Sequence, residues 1–270
     1  MPSQRPYRRP ATLQDSLPGT SERRHVAWLL AGIVIGLLAL GSLFWYLDGW
    51  YKKIGNLPAP EAAQQFDKTQ FSLDDPASSW VVVNKQRPLS PKNYTPAVMR
   101  APAMKLKGGE NAESMQLHEA AARALETLDE AAHESGYQFI LVSGYRSYDT
   151  QKIIYDSEVR GFGQTIADQE SARPGHSEHQ TGWAADLVGA SGECEIEACF
   201  ADTPEGQWLA ANAHKYGFVI RYAQDKTDIT GYVYEPWHLR YVGIDLAAEM
   251  HRTGLHTPEE FFDLPAAPTY

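Results

Sequence analysis

The chain has 270 residues, a net charge of −10 at pH 7 and two cysteines. This length allows one ordinary domain with additional segments. The first 25 residues carry five arginines against two acids, a charge of +3, so the acidity belongs to the rest of the chain. Because an acidic domain without a basic patch is unsuited to a polyanion, we expect no nucleic-acid partner.

The amino-terminal segments differ sharply in composition. Residues 1–25 are rich in Pro, Ser, Arg and Gln and lack apolar periodicity, which predicts a disordered tail. Residues 26–47 are 22 residues without a charged side chain. At ~1.5 Å per residue they reach about 33 Å, close to the roughly 30 Å hydrocarbon core of a bilayer. They therefore predict a transmembrane helix, with Trp28, Trp45 and Trp50 as interfacial anchors.

The alternative for this segment is a cleaved signal peptide. Its apolar run exceeds the ~7–15 residues usual for a signal-peptide core, and no A-x-A site follows it. Five arginines precede the span and only Lys52 and Lys53 follow it closely, which predicts a cytoplasmic amino terminus. Residues 48–78, with three prolines, then form an extracytoplasmic linker with a short helix around 60–66. The predicted location is the cell membrane, with the remaining domain, 79–270, outside.

Apolar periodicity predicts the elements of this domain. Residues 80–83 read as a buried strand, and apolar residues at helical spacing predict a helix over 112–134 that stops at Gly136. The remaining predicted elements are strands at 138–142, around Asp186, at 232–234 and at 237–242, and helices at 148–159, 204–216, 246–253 and 258–263. The strand at 138–142 would deliver Tyr145 and Arg146 to its end.

The stretch 174–188 places His179 and Asp186 seven residues apart around Gly182. The turn dipeptide at its start and the alternation after Gly182 predict that His179 lies on a loop and Asp186 on a strand. This spacing excludes a ligand pair on one helix, which needs i and i+4. The two side chains can begin a metal site only if a third ligand comes from elsewhere.

The segment Glu235-Pro236-Trp237-His238 offers that ligand. Catalytic zinc takes three protein ligands from His, Asp, Glu and Cys and leaves a fourth position for water. His179, Asp186 and His238 would be these ligands for Zn²⁺. Glu235 precedes a proline that favours extended backbone, so its carboxylate could act as the general base. Each piece alone is weak, since a single histidine is usually structural, and His176 is left out because a fourth ligand would close the water position.

Three blocks of sequence carry a family resemblance. The blocks are S-G-Y-R-S-Y-D-T-Q at 143–151, S-E-H-Q-T-G-W-A-A-D at 177–186 and E-P-W-H-L-R-Y-V-G at 235–243. Together they resemble the D-alanyl-D-alanine carboxypeptidase family of zinc peptidases typified by VanY. The resemblance covers roughly residues 79–254, with the blocks in the family's order and no ligand position substituted.

This resemblance implies an α+β fold of the Hedgehog/DD-peptidase type, a small mainly antiparallel sheet flanked by helices. It implies that Arg146 stabilises the oxyanion of the intermediate, although an arginine there is more often a surface charge. It also implies that Ser177 and Gln151 bind the terminal carboxylate of the substrate. Their alternatives are a loop-capping hydroxyl and an exposed helix residue. Trp237 would either wall the cleft or pack beside the metal site.

The implied function is a zinc-dependent D,D-carboxypeptidase that removes the C-terminal D-alanine from peptidoglycan stem peptides. The nearest alternative is an L,D-carboxypeptidase acting on tetrapeptide stems, since relatives share these ligands and differ in pocket shape. A non-catalytic cell-wall binding module would keep the fold, but the complete ligand set and the intact Glu235 argue against it. A third alternative is a membrane-anchored partner protein in which the apolar helix matters most.

Cys194 and Cys199 are the only cysteines and belong to neither metal motif. An exported domain can meet an oxidising compartment, so a loop-closing disulfide is favoured over two free thiols. The surrounding insertion carries Glu193, Glu195 and Glu197 and departs from the family core. We assign no function to its acidity from the sequence.

Overall fold

The computed structural model describes residues 20–55 and 66–270. The predicted tail up to residue 19 and the linker residues 56–65, where most of the short predicted helix lies, fall outside the described residues. The first unit contains helix α1 (Thr20–Gly55). Its segment Trp28–Lys53 is long and apolar enough to cross a membrane, a property shared by membrane anchors and signal sequences. The second unit is compact and spans Phe66–Tyr270.

The compact unit contains both helices and strands. Its helices are α2 (Glu119–Glu134), α3 (Tyr148–Phe162), α4 (Gln164–Glu170), α5 (Pro204–Asn212), α6 (Thr227–Thr230), α7 (Ile244–Thr253) and α8 (Pro258–Phe261). Its strands are β1 (Met99–Arg100), β2 (Leu117–His118), β3 (Phe139–Ser143), β4 (Ala184–Gly189), β5 (Phe218–Tyr222) and β6 (Glu235–Tyr241). The predicted α+β class is confirmed.

Four strands form one antiparallel sheet in the order β3-β4-β6-β5. The predicted antiparallel sheet is therefore confirmed, and β1 and β2 make a separate two-stranded pair. In the register of the main sheet, Asp186 on β4 lies opposite His238 on β6 and also opposite Ser143 on β3. Residues directly opposite each other on antiparallel strands hold their side chains close together. The sheet thus joins all three motif blocks at one point.

The main core lies between the sheet and helix α2. The buried residues of α2, which include Ala121, Leu125 and Leu128, recur at helical spacing and face Leu141 and Leu187 of the sheet. Every residue of β4 is buried, which explains its near-continuous apolar sequence. Burying such side chains contributes roughly 1.5–3 kcal/mol each, so this packing holds the central strands in a fixed position.

A second cluster forms around Trp80 and includes residues of α7 and α8. The rings of Phe66 and Phe71 lie 5.6 and 5.0 Å from the Trp80 ring. Trp80 also donates a hydrogen bond from Nε1 to Val242 O at 2.9 Å. Residues 66–78, which the sequence assigned to the linker, therefore pack on the domain, because aromatic side chains there complete this cluster.

Three predicted elements differ from the structure. Residues 80–83 are buried as expected but form no strand: Trp80 belongs to the second cluster, and Val81 and Val83 belong to the main core. The predicted helix over 112–134 begins only at Glu119, because Ser114 O and Gln116 O accept hydrogen bonds from Gly144 N and Tyr145 N. Residues 232–234 are not a strand, and β6 begins at Glu235.

Candidate metal centre

His179, Asp186 and His238 converge in the interior, and each is buried. His179 Nε2 lies 3.3 Å from Asp186 Oδ2, and His238 Nδ1 lies 3.3 Å from Asp186 Oδ1. One ligand atom from each residue lies within 4.8 Å of the others. Ligand bonds of ~2.0–2.2 Å place tetrahedral ligand atoms roughly 3.3–3.6 Å apart. The three side chains therefore fit a single small divalent cation.

The position of His179 is fixed by its local backbone and by one hydrogen bond. It lies on a short 3-10 helix, Glu178–Thr181, where the sequence predicted a loop. Gly182 ends this helix with φ +73, and a Cβ there would come within 3.0 Å of His118 N. His179 Nδ1 donates to Gly144 O at 2.6 Å, so Nε2 is left for a metal ion.

His238 presents the opposite ring nitrogen to the centre. Its Nδ1 faces Asp186, whereas its Nε2 lies 3.6 Å from Glu178 Oε2. Both His238 Nε2 and Glu178 Oε2 are buried atoms without a hydrogen-bond partner among the residues that the structure describes. Ligand histidines commonly direct their second nitrogen toward a carboxylate, which fixes the tautomer and the ring orientation. Glu178 occupies that place beside His238.

Glu178 belongs to a buried ion-pair network that also contains Arg221, Arg240 and Glu259. Arg221 donates from Nε to Glu178 Oε1 at 2.8 Å and binds Glu259 through two hydrogen bonds of 2.7 and 3.0 Å. Arg240 Nη1 lies 3.0 Å from Glu178 Oε1. Burial alone would raise the pKa of Glu178, but Arg221 and Arg240 outweigh it and hold that pKa well below its usual range. The network thus keeps a negative charge beside His238.

Glu235 lies at the start of β6 with its Oε2 3.4 Å from His238 Nδ1. Burial raises the pKa of Glu235 to about 8, and the charges of Asp186 and Glu178 act in the same direction. A carboxyl group with such a pKa can accept and return a proton near neutral pH. The proline that follows it sits in β6, as the predicted extended backbone requires.

Arg146 reaches the same place from the end of β3. Its guanidinium donates to Gln151 Oε1 and to Ser143 Oγ, both at 3.1 Å. Gln151 is fully buried, and its amide nitrogen donates to Ser171 Oγ and to Ala172 O. All polar groups of this glutamine side chain therefore contact protein atoms, in an arrangement that orients Arg146.

These groups line one cavity of about 150 Å³. Its walls include His179, Asp186, His238, Glu235 and Arg146. Gln151 is not among the lining residues and contacts the site through Arg146. Ser177 also lines the cavity, and its hydroxyl makes no capping hydrogen bond to the short helix that follows. Trp237 is half-buried at the rim. The cavity brings together a metal-ligand set, a carboxyl group with a raised pKa and a positive charge.

The two cysteines form the disulfide Cys194–Cys199 that the sequence favoured. We call residues 194–199 the disulfide loop. Glu195 in this loop pairs with Lys107, and Ile196 lines the cavity of the metal centre. The loop therefore forms part of the wall of the site, a role that its sequence did not indicate.

The sequence analysis missed Glu178, Arg221, Arg240 and Glu259. Glu178 and Arg240 lie inside the motif blocks, next to or two residues from a ligand candidate. That closeness to the ligand candidates is the signal that could have identified them. Arg221 and Glu259 carry no local signal, because the pair joins β5 to α8 across 38 positions of sequence.

Comparison with known proteins places these features in a family. Residues 114–244 match the sequence model of the VanY family, described as D-alanyl-D-alanine carboxypeptidase. The putative carboxypeptidase YodJ of Bacillus subtilis is 44% identical over 192 residues, which are 71% of this chain and 70% of that protein.

Solved structures agree with this match. The LdcB LD-carboxypeptidase superimposes with a TM-score of 0.66 and 45% identity, covering 70% of this chain and 87% of that one. The D,D-pentapeptidase VanY of a VanB-type vancomycin resistance cassette, solved in complex with Zn(II), gives a TM-score of 0.56 and 30% identity, covering 68% and 98%. On these matches, together with the three motif blocks in one cavity, the chain belongs to the VanY family of D-alanyl-D-alanine carboxypeptidases.

Proposed function

We propose that the chain is a zinc-dependent D,D-carboxypeptidase that removes the C-terminal D-alanine from peptidoglycan stem peptides. The observation that carries this proposal is the convergence of His179, Asp186 and His238 with the buried carboxyl group of Glu235 in one cavity. Membership of a carboxypeptidase family and a relative solved with Zn(II) support it.

His179 would hold the metal through Nε2, Asp186 through its carboxylate and His238 through Nδ1. Two imidazoles and one carboxylate are a usual donor set for catalytic zinc, and three protein ligands leave a position open. When bound, zinc supplies a Lewis acid that polarises the peptide carbonyl and makes water a stronger nucleophile at neutral pH. Glu178 holds the ring of His238 in the orientation that this requires.

Glu235 then acts as the general base and acid. Its carboxylate accepts a proton from the water that attacks the carbonyl carbon, and it returns the proton to the amine nitrogen as the C–N bond breaks. The products are free D-alanine and a stem peptide that is one residue shorter. The guanidinium of Arg146 stabilises the negative charge that develops on the carbonyl oxygen, and Gln151 keeps it in place. Ser177, in the wall of the cavity, binds the terminal carboxylate of the substrate.

The second candidate is an L,D-carboxypeptidase acting on tetrapeptide stems. The chain is more similar to the LdcB LD-carboxypeptidase, at 45% identity, than to the D,D-pentapeptidase VanY, at 30%. Both activities use the same proposed ligands, base and arginine, and they differ in the configuration of one substrate residue. Incubation with defined pentapeptide and tetrapeptide stems, followed by mass analysis of the products, distinguishes them.

We also propose that α1 anchors this domain outside the cell membrane. The apolar run 26–47 lacks charge, and five arginines precede it. An amino-terminal tail over 1–25 would then lie in the cytoplasm. This arrangement gives the cavity access to the cell wall, where peptidoglycan stems are found.

The mechanism predicts that variants of Glu235 and variants of the metal ligands differ in zinc content, although both lose turnover. We expect Glu235→Gln to keep its zinc while turnover falls about 10²–10⁴-fold, because it loses only the acid/base group. His179→Ala and His238→Ala should lose zinc and turnover together. His133→Ala, an exposed histidine on α2, is the matched control and should change neither. If Glu235→Gln sheds its zinc, or keeps full turnover, the proposed role of Glu235 is wrong.

A further inference from the structure

The cavity of the metal centre adjoins a second, larger groove. The groove has a volume of about 550 Å³, and the three metal-ligand candidates are absent from its walls. The two spaces share six lining residues, which are Arg146, Glu170, Ser171, Ile196, Glu235 and Trp237. These shared residues therefore mark the junction between a smaller space of about 150 Å³ and a larger one of about 550 Å³.

In the proposed mechanism, the scissile peptide bond lies at this junction. A carboxypeptidase holds one terminal residue on one side of the scissile bond, for which the smaller space suffices, while the longer remainder of the peptide needs the larger space. The proposed base Glu235 and the proposed oxyanion stabiliser Arg146 both lie at the junction, as this argument requires. Ile196 of the disulfide loop lies there too, and no part of the proposed mechanism uses it.

Ile196 has an unusual conformation for its residue type. It is β-branched and yet has φ +55, and Cys194 in the same loop has φ +54. A positive φ is unfavourable for a β-branched side chain and persists only where the surroundings impose it. Here the disulfide closes the loop, and the pair Lys107–Glu195 ties it to the domain. The fold thus holds an apolar side chain, 37% exposed, at the edge of a polar site.

We propose that Ile196 is a specificity-determining residue that contacts the substrate residue on the amino side of the scissile bond. That residue has the D configuration in a D,D-substrate and the L configuration in an L,D-substrate. With the scissile bond held in one position, a D residue and an L residue direct their side chains toward different walls of the junction. A fixed apolar side chain on one wall therefore contacts one class of stem and not the other. This inference rests on the proposed function and extends it to the choice between the two stems.

The test compares both stems on the full-length, zinc-loaded protein. For Ile196→Ala we expect the ratio of kcat/KM between the pentapeptide and tetrapeptide stems to change about tenfold, mainly through KM, as for the loss of an apolar contact in a pocket. Zinc content should stay unchanged. Ile153→Ala is the matched control, because Ile153 is an exposed isoleucine on α3 that lines neither space, and it should leave the ratio unchanged.

An unchanged ratio in Ile196→Ala, or an equal change in Ile153→Ala, would overturn the inference. Binding of both stems to zinc-loaded Glu235→Gln, with and without Ile196→Ala, separates this failure from a failure of the proposed function. If the stems bind and Ile196→Ala alters neither affinity, Ile196 is not a contact while the proposed function stands. If the wild-type protein cleaves neither stem and Glu235→Gln binds neither, the proposed function fails and the inference falls with it.

Discussion

The two sides of the metal centre are built in different ways. Behind His238, the buried ion-pair network joins the short helix of His179 to β5, β6 and α8, and all four of its side chains are at most 1% exposed. In front of the ligand candidates, the disulfide loop is only partly buried. A disulfide joins its two ends, and the pair Lys107–Glu195 ties it to the domain.

This difference separates two requirements of the site, a fixed geometry of the ligand candidates and a contact with the substrate. Each charge of the network is buried, so removing one leaves its partner unpaired in the interior, at a cost far above that of a surface pair. The loop can change residues without disturbing such partners. The ligand geometry therefore depends on a part of the fold that tolerates little change, whereas the proposed substrate contact lies on a part that tolerates more.

The largest expected effect comes from breaking the network at its far end. Glu259→Ala removes the partner that binds Arg221 through two hydrogen bonds and leaves a buried arginine with reduced compensation. We expect the free energy of unfolding to fall by about 3–5 kcal/mol. Urea unfolding followed by circular dichroism measures this change.

An exposed ion pair provides the control for that variant. Asp156→Ala breaks the i,i+4 pair of Asp156 with Lys152 on the surface of α3. Pairs of this kind contribute about 0.3–0.5 kcal/mol. Similar losses in Asp156→Ala and Glu259→Ala would contradict the distinction between the buried network and the surface.

The next largest effect concerns Glu178. Glu178→Gln keeps the shape of the side chain but removes the negative charge that faces His238 Nε2 across 3.6 Å. Replacing such a carboxylate typically reduces metal affinity about 10–100-fold. Competition with a chelator of known zinc affinity measures it. Glu193→Gln, in the exposed segment before the disulfide loop, is the control, and equal zinc affinity in all three folded proteins would exclude the role of Glu178.

The same charges predict how zinc binding depends on pH. Burial alone would lower the pKa of His238, but its contacts with Asp186 and Glu178 outweigh burial and raise it to about 9. Below that pH the ring is protonated, and a metal ion at Nδ1 must displace a proton. Zinc affinity should therefore fall about tenfold for each pH unit below 9. Zinc titrations at several pH values test this, and an affinity independent of pH would contradict it.

Much of the centre follows from the sequence because its chemistry is local. Spacing within the motif blocks led to His179, Asp186, His238 and Glu235, and the structure brings these residues together. The antiparallel sheet and the family were also predicted and are confirmed. The pairing of Asp186 with His238 depends on strand register, which the sequence does not display but the β4–β6 ladder provides.

What the sequence did not indicate depends on distant partners. Arg221 binds Glu259 only because α8 folds back onto β5, and no local pattern records that contact. Residues 80–83 are apolar enough for a strand and are buried as predicted. They form no strand, because the Arg240 side chain donates to Val81 O and Val82 N donates to Leu73 O, contacts that no local pattern records. Similarly, α2 starts later than predicted, because Ser114 O and Gln116 O accept hydrogen bonds from residues that are distant in sequence and not from the next turn of a helix.

The smallest effect on the metal centre is expected from opening the disulfide loop. Replacing both cysteines, Cys194→Ser together with Cys199→Ser, removes the closure of a very short loop, which accounts for about 2 kcal/mol of stability in a chain-entropy model. None of the three ligand candidates or their hydrogen-bond partners lies in this loop. Zinc affinity should therefore stay within about twofold of wild type, since only ligands and their immediate supports control it.

The same double variant should raise KM for stem peptides, because Ile196 is no longer held at the junction. Zinc competition and steady-state kinetics on one double variant measure both quantities. A large loss of zinc affinity with an unchanged KM would reverse the assignment of the two sides, since the loop would then support the metal and not the substrate.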